Sequence, residues 1–152
     1  MLIASFAAPA FATNCWIIAP GPGQECIIID PGMPDVTLSV EEILHQYDLK
    51  PVATLVTHGH LDHTFSVLPL CQGYGIPAYI HSEDRILLTH PEQALSAVFA
   101  ATLGETNFYE PSDVRELRNG EELEFLGMTL RAIHAPGHTR GSLIFTIADE
   151  VV

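Results

Sequence analysis

The strongest constraint on the fold is a cluster of metal-type side chains that directly follows a short apolar run. Val52–Thr57 is rich in aliphatic and β-branched residues, which predicts a strand covered on both faces. His58, His60, Asp62 and His63 follow it within six residues. Imidazole and carboxylate donors suit zinc and, with less selectivity, iron, manganese or cobalt. The chain is therefore expected to fold so that the carboxyl end of a buried strand opens onto a metal site.

The spacing within this run allows two ions. In an extended segment, His58 and His60 point to the same side, so both reach one ion. Gly59 lets the backbone bend tightly between them. Asp62 and His63 fall where the chain is predicted to turn into a helix, so they can approach a second ion from the other side. One motif can therefore supply ligands for two metals.

A later turn offers another ligand. Pro136–Gly137 fixes the direction of the next side chain, His138, which we predict to be the third nitrogen ligand of a catalytic zinc with one open position. His134 lies on the preceding predicted strand, and the sequence leaves open both a packing role and direct ligation. Arg140 is either solvated or placed to reach an anionic substrate. The remaining histidines are interpreted as surface or structural residues: His45, His81 and His90.

Together these motifs resemble the metallo-β-lactamase superfamily. The His-x-His-x-Asp-His run, the earlier segment Ile27–Gly32 and the later Pro136–Thr139 occur in the order and approximate spacing of that family. Within it, the chain is most similar to small glyoxalase II-like hydrolases of the hydroxyacylglutathione hydrolase type, including an opening strand at Phe11–Trp16. The resemblance implies an α/β (α+β) fold, namely a four-layer αββα sandwich with a metal site at one edge between two sheets.

The resemblance also implies a ligand set. His58, His60 and His138 would hold a first zinc ion, and Asp62 and His63 would help to hold a second. Iron or manganese is an alternative to zinc for such donors. In the same family pattern, Asp30 lies below the site and supports it without touching metal.

The expected activity is metal-dependent hydrolysis. Metal ions held by neutral imidazoles lower the pKa of bound water, which makes a hydroxide nucleophile. Asp62 is predicted to orient this hydroxide and is therefore the candidate catalytic residue. The resemblance implies thioesters of a low-molecular-weight thiol as substrates. Two alternatives stay open: a mononuclear iron oxidoreductase of the persulfide dioxygenase type, and a fragment that binds metal without catalysis.

The end of the chain departs from the family pattern. Family members supply a bridging aspartate after the strand predicted here at Leu143–Ile147 and a further histidine later, and neither is present. Ala148–Glu150 is predicted to be a turn in which Asp149 is an ordinary turn residue, and Val151–Val152 the start of the next strand. We therefore expect one domain over residues 1–152 that lacks the C-terminal strands and helices of the sandwich.

Composition limits the expected partners. At 47% hydrophobic residues the chain can bury a core, whereas six Lys and Arg against 19 Asp and Glu argue against nucleic acid or an anionic membrane as partner. Cys15, Cys26 and Cys71 are odd in number and lie in apolar contexts, which predicts buried thiols and a cytoplasmic location. A small-molecule thioester is thus the expected partner, and the sequence leaves the oligomeric state open.

The remaining pattern predicts alternating elements. Met1–Ala12 is predicted to be the first strand rather than a signal peptide, and a capping box at Ser39–Glu42 is predicted to open a helix. Thr64–Tyr74 is predicted to be a helix, and Val114–Leu117 to pair antiparallel with the two strands that follow it. Pro91–Pro111 is either a loop near the substrate or a helix with three apolar side chains inward: Leu95, Val98 and Phe99.

Overall fold

The computed structural model describes residues 1–125, 127–147 and 150–151, which form two β-sheets and several short helices. The strands of the first sheet are β1 (Leu2–Ala7), β2 (Asn14–Ala19), β3 (Glu25–Ile29), β4 (Lys50–Leu55), β5 (Ala78–His81) and β6 (Val114–Leu117). The strands of the second are β7 (Glu122–Phe125), β8 (Met128–His134), β9 (Leu143–Ile147) and β10 (Glu150–Val151). The helices are α1 (Val36–Tyr47), α2 (Leu61–Thr64), α3 (Val67–Tyr74) and α4 (Ala97–Leu103), and 3₁₀ turns lie at Arg85–Leu88 and Pro91–Ala94.

The direction of the strands decides where the site lies. In the first sheet, β1, β2 and β3 pair antiparallel, whereas β3, β4, β5 and β6 are parallel neighbours. The carboxyl ends of parallel strands meet at one edge of a sheet, and ligands bind there in open α/β sheets. Asp30 follows β3, His58 follows the end of β4, and Asp84 follows β5. Polar side chains from three neighbouring strands therefore gather at this edge.

The hydrophobic core lies on both faces of the first sheet. Its inner face packs against the second sheet, with Ile27 and Leu55 in the same buried cluster as Leu130 and Phe145. Its outer face packs against α1 and α3. Because β3 and β4 are covered on both sides, their sequences are apolar runs rather than alternating ones. The described residues thus contain the helical layer and the two sheets of the predicted α/β sandwich, which confirms the fold class.

Three element predictions are wrong in detail. Val114–Leu117 forms β6, which pairs parallel with β5 in the first sheet and not with the strands that follow. The capping box at Ser39–Glu42 lies inside α1, which begins at Val36 because Val36 and Val40 are both buried against the first sheet. Thr64–Tyr74 is divided between α2 and α3. For Val114–Leu117, alternation of apolar residues predicts a strand but not its partner. For α1, burial of apolar residues against the sheet outweighs the local capping pattern.

The segment Pro91–Pro111 also differs from its helical prediction. It contains α4, none of whose residues is buried, and the exposed fractions of Val98 and Phe99 are 76% and 52%. The inward orientation predicted for these two side chains is therefore wrong. Val98 and Phe99 are largely exposed because, among the described residues, no sheet covers this helix.

Several smaller expectations have clear outcomes. Met1–Ala12 contains strand β1, and Val151 lies in β10, which pairs antiparallel with β9. The predicted turn residues Ala148 and Asp149, and Val152, lie outside the described residues. All three cysteines are buried free thiols, as predicted. Within the described ranges, no helix has the length and apolar character needed to cross a bilayer.

Candidate metal centre

Three imidazoles converge at the edge of the first sheet. His58, His60 and His138 each place one ring nitrogen within 4.8 Å of the other two. The distance from His60 Nδ1 to His138 Nε2 is 3.0 Å. Tetrahedral zinc with Zn–N bonds of 2.0–2.1 Å separates its ligand nitrogens by about 3.3 Å, so the spacing suits a single ion. The structure thus brings together the three residues predicted to bind the first metal.

His58 carries the clearest sign of a ligand position. Its Nε2 is buried and has no hydrogen-bond partner among the described residues. Burial, assisted by the nearby His63, lowers the pKa of His58 to about 4, so the ring is neutral at neutral pH. Buried polar atoms in native proteins normally have a partner, and a neutral imidazole nitrogen without one fits a bound metal ion.

Asp30 fixes the orientation of two of these rings. Its carboxylate accepts hydrogen bonds from Thr57 N at 2.8 Å, Thr57 Oγ1 at 2.6 Å and His63 Nδ1 at 2.9 Å. Because the Thr57 hydroxyl gives its proton to Asp30, it accepts the Nδ1 proton of His58 over the 3.0 Å that separates them. Both rings are thereby held with Nδ1 as the donor and Nε2 directed away from Asp30. This geometry supports the role predicted for Asp30, which touches the ligands rather than the metal.

Asp62 and His63 lie on one side of the three imidazoles. The ring centroids of His58 and His63 are 3.9 Å apart, and His63 Nε2 lies 3.6 Å from Asp62 Oδ2. Thr13 Oγ1 donates a 2.6 Å hydrogen bond to the same carboxylate oxygen. Burial opposes ionisation of Asp62, but the Thr13 bond and the charge of His63 outweigh it and lower its pKa. The predicted ligands of a second ion are therefore adjacent, and the carboxylate is ionised at neutral pH.

The pKa of His63 moves in the opposite direction from that of His58. Burial opposes protonation of this ring too, but the hydrogen bond and the charge of Asp30, with the charge of Asp62, raise its pKa. A metal ion at Nε2 would occupy the position of the second proton. In the absence of metal, the two carboxylates therefore favour the protonated form of His63.

One functional residue, Asp84, is missing from the predictions based on sequence. It is 1% exposed and accepts hydrogen bonds from Gly59 N at 2.8 Å, Gly141 N at 2.7 Å and the Thr139 hydroxyl. A Cβ atom at Gly59 would lie 2.9 Å from the Asp84 carbonyl oxygen, and one at Gly141 would lie 2.7 Å from Asp84 Cγ. Both glycines are needed for this close approach. Asp84 therefore joins the loop that carries His58 and His60 to the loop that carries His138.

His134 takes a packing position instead of joining the three-histidine cluster. Its Nε2 lies 2.7 Å from the Arg140 carbonyl oxygen, to which it donates, and its ring stacks on His81 with centroids 4.0 Å apart and planes 11° apart. His134, His81 and Glu83 also bring ligand-type atoms within 4.8 Å of one another. The nitrogen lone pairs of an imidazole lie in the plane of its ring. Because the two stacked ring planes are nearly parallel and their centroids are 4.0 Å apart, the lone pairs of His81 and His134 do not converge on one ion. His45 and His90 are exposed, in agreement with the interpretation of His45 as a surface residue.

A family model described as the metallo-beta-lactamase superfamily matches residues 8–152, and the centre described above occupies the matched region. The chain belongs to this superfamily. Similar proteins include an uncharacterized protein of Mycobacterium tuberculosis, which is 38% identical over 97% of this chain and 66% of its own length. Others are the hydroxyacylglutathione hydrolase of Xylella fastidiosa, 32% identical over 90% of this chain and 43% of the enzyme, and the atrochrysone carboxyl ACP thioesterase of Aspergillus chevalieri, 27% identical over 91% and 37%.

Solved structures share the fold. The BLEG-1 B3 metallo-beta-lactamase aligns with a TM-score of 0.75 and 25% identity over 95% of this chain and 66% of that one. A di-iron-bound form of TTHA1623 aligns with a TM-score of 0.69 and 25% identity over 96% and 66%. The chain thus spans about two-thirds of the length of the mycobacterial relative and of these structures.

Proposed function

We propose that the protein is a metal-dependent hydrolase that cleaves thioesters. One observation carries the proposal: three imidazoles, one of which has a buried Nε2 without a hydrogen-bond partner among the described residues, meet beside the ionised carboxylate of Asp62. Such a centre suits hydrolysis because it needs no serine or cysteine nucleophile. The similarity to an ACP thioesterase and to a hydroxyacylglutathione hydrolase supports thioesters as the substrate class.

The roles of the residues follow from their contacts. A divalent ion held by His58, His60 and His138 would supply Lewis-acid activation of a water molecule and of the substrate carbonyl. Asp62 is held at Oδ2 by Thr13, and its carboxylate is in place to accept a hydrogen bond from the attacking water and orient it toward the carbonyl carbon. Asp30 keeps the ligand rings in one orientation, so no reorganisation is needed when substrate binds.

The test combines metal analysis with a thioester assay. Protein purified without added metal is analysed for zinc, iron and manganese, and hydrolysis of S-lactoylglutathione is followed by thiol release. We expect bound metal, and Asp62→Asn should lower the rate by about 100-fold or more, as loss of a group that positions a proton does. Asp113→Asn, a matched change of an exposed carboxylate that pairs with Arg115, should leave the rate unchanged. Metal-loaded protein that hydrolyses no thioester would overturn the proposal.

Iron-dependent oxidation of thiol persulfides is the second candidate function. This reaction would use a single iron, and the similarity to a structure determined in a di-iron-bound form favours iron as a metal for this kind of centre. Imidazole and carboxylate donors bind iron as well as zinc, so the ligand set allows both. Oxygen consumption by iron-loaded protein supplied with glutathione persulfide distinguishes oxidation from hydrolysis. We also propose that the protein acts on a small molecule rather than on nucleic acid or a membrane. We propose a cytoplasmic location for it.

A further inference from the structure

An apolar cavity of about 260 Å³ opens directly beside Asp62. One wall comes from the loop between β1 and β2, a second from the segments after β3 and at the start of α2, and a third from α4 and the residues before it. The apolar side chains that line it are Phe11, Met33, Leu61, Leu95, Phe99 and Leu103. The cavity is thus continuous with the candidate metal centre through a residue that belongs to both.

The backbone at Phe11 indicates that this wall is more than a by-product of packing. Phe11 and Ala12 have φ values of 63° and 55°, in the left-handed region that residues other than glycine seldom adopt. Such conformations cost on the order of 1–3 kcal/mol each and cluster at ligand-binding sites. In this conformation Phe11 is 62% exposed, and the centroid of its ring lies 6.1 Å from that of the Phe99 ring. An exposed aromatic pair, of which Phe11 lies on a strained loop and Phe99 on α4, adds little to stability, which favours a role in binding.

The charges around the cavity limit what it can hold. Among the described residues that line it, Asp62 is the one ionisable side chain. Arg85 is paired with Glu110 and Glu116, and Arg140 lines a separate cleft with Glu83 and Asp84. The cavity therefore offers apolar surface and no positive charge to an occupant that reaches Asp62.

We propose that this cavity binds the acyl group of the substrate and that this group is an uncharged hydrocarbon chain. The inference rests on the proposed function, since it places the thioester carbonyl at Asp62 and the acyl chain between Phe11 and Phe99. Burial of each methylene contributes about 0.8 kcal/mol. The specificity constant kcat/KM should therefore rise about three- to four-fold for each methylene added, until the cavity is filled.

The first experiment compares acetyl, butanoyl and hexanoyl thioesters of N-acetylcysteamine. We expect kcat/KM to rise along this series and the rise to become nearly flat in Phe99→Ser. Val98→Ser is the matched control, because Val98 lies next to Phe99 in α4, is more exposed and does not line the cavity. It should retain the dependence on chain length. A flat series in the unaltered protein, or a full rise in Phe99→Ser, would overturn the inference while leaving thioester hydrolysis intact.

A second experiment tests the cavity without catalysis. S-hexyl-N-acetylcysteamine, a thioether that cannot be hydrolysed, should bind in calorimetric titration, and Phe99→Ser should weaken this binding at least 10-fold relative to Val98→Ser. Binding of the thioether by a protein that hydrolyses no thioester would reject the proposed function and keep the apolar ligand site. If the thioether does not bind, and Phe99→Ser instead reduces self-association in sedimentation, the apolar face is a contact between copies of the chain and the inference fails.

Discussion

Replacing Asp84 by Asn should weaken metal binding while leaving most of the fold in place. The Asp84 carboxylate accepts hydrogen bonds from three donors: Gly59 N, Gly141 N and the Thr139 hydroxyl. An amide keeps only one acceptor oxygen, and its NH₂ group must face at least one of the two buried backbone N–H groups. A buried donor without a partner costs about 1–3 kcal/mol.

The unpaired N–H group in Asp84→Asn should destabilise the arrangement of the two loops that carry the metal ligands. Asp84 sets the separation of the loops that carry His58, His60 and His138, so a penalty of about 1–3 kcal/mol corresponds to about a 5- to 150-fold loss of affinity. Losses of about 10- to 100-fold are usual when residues that support metal ligands are changed. Competition with a chelator for Co²⁺ or Zn²⁺ measures the affinity, and urea unfolding of the metal-free protein measures the stability.

The control for this prediction is Asp113→Asn. Asp113 is also an aspartate just outside a strand of the first sheet, but its side chain is 50% exposed and pairs with Arg115. Exposed ion pairs contribute little to stability, so this variant should bind metal like the unaltered chain. The reasoning is refuted if Asp84→Asn binds metal with unchanged affinity, or if both variants lose affinity equally.

Three further predictions concern the imidazoles and the carboxylate beneath them. Replacing His58, His60 or His138 by Ala should remove tightly bound metal and preserve the circular dichroism spectrum, whereas His45→Ala should change neither; retained metal in the His60 variant would reject the assignment. Asp30→Ala should lower metal affinity by about 10-fold or more through loss of ligand orientation, and unchanged affinity and stability would make Asp30 an ordinary turn residue. Finally, because the pKa of His58 is lowered to about 4 in the folded chain, the unfolded chain binds the extra proton first as pH falls. The metal-free protein should therefore lose stability from about pH 6.5 down to about pH 4, and this loss should shrink in His58→Ala; an identical pH dependence in urea unfolding would contradict it.

The part of the site that is local in sequence was predictable. Four of the predicted ligands lie within six residues, directly after a strand whose apolar character reveals burial on both faces. The positions of Asp30 and His138 followed from turn residues and from the family resemblance. In each case the residue type itself indicates the chemistry, because imidazoles and carboxylates are rare in apolar surroundings unless they have a partner.

Asp84 escaped prediction because its partners are mainly backbone groups. Gly59 and Gly141 are 25 and 57 residues away from it in sequence, and an N–H donor leaves no trace in residue type. A usable signal existed, since Asp84 closely follows a strand parallel to the one that precedes His58. The parallel pairing of β6 was not predicted for a similar reason. It depends on burial of Leu117 between the two sheets, and this burial is a property of the whole fold rather than of the local sequence.

The distance along the chain between His60 and His138 has a consequence for unfolding. These two rings are in contact although 78 residues separate them in the sequence, and they lie on loops that belong to different sheets. One ion bound to both would act as a reversible cross-link that closes this long loop. For a permanent cross-link of that length, chain entropy predicts a stabilisation of about 4–5 kcal/mol. Metal binding would thus link the two sheets, and a chelator would remove this link without breaking any covalent bond of the chain.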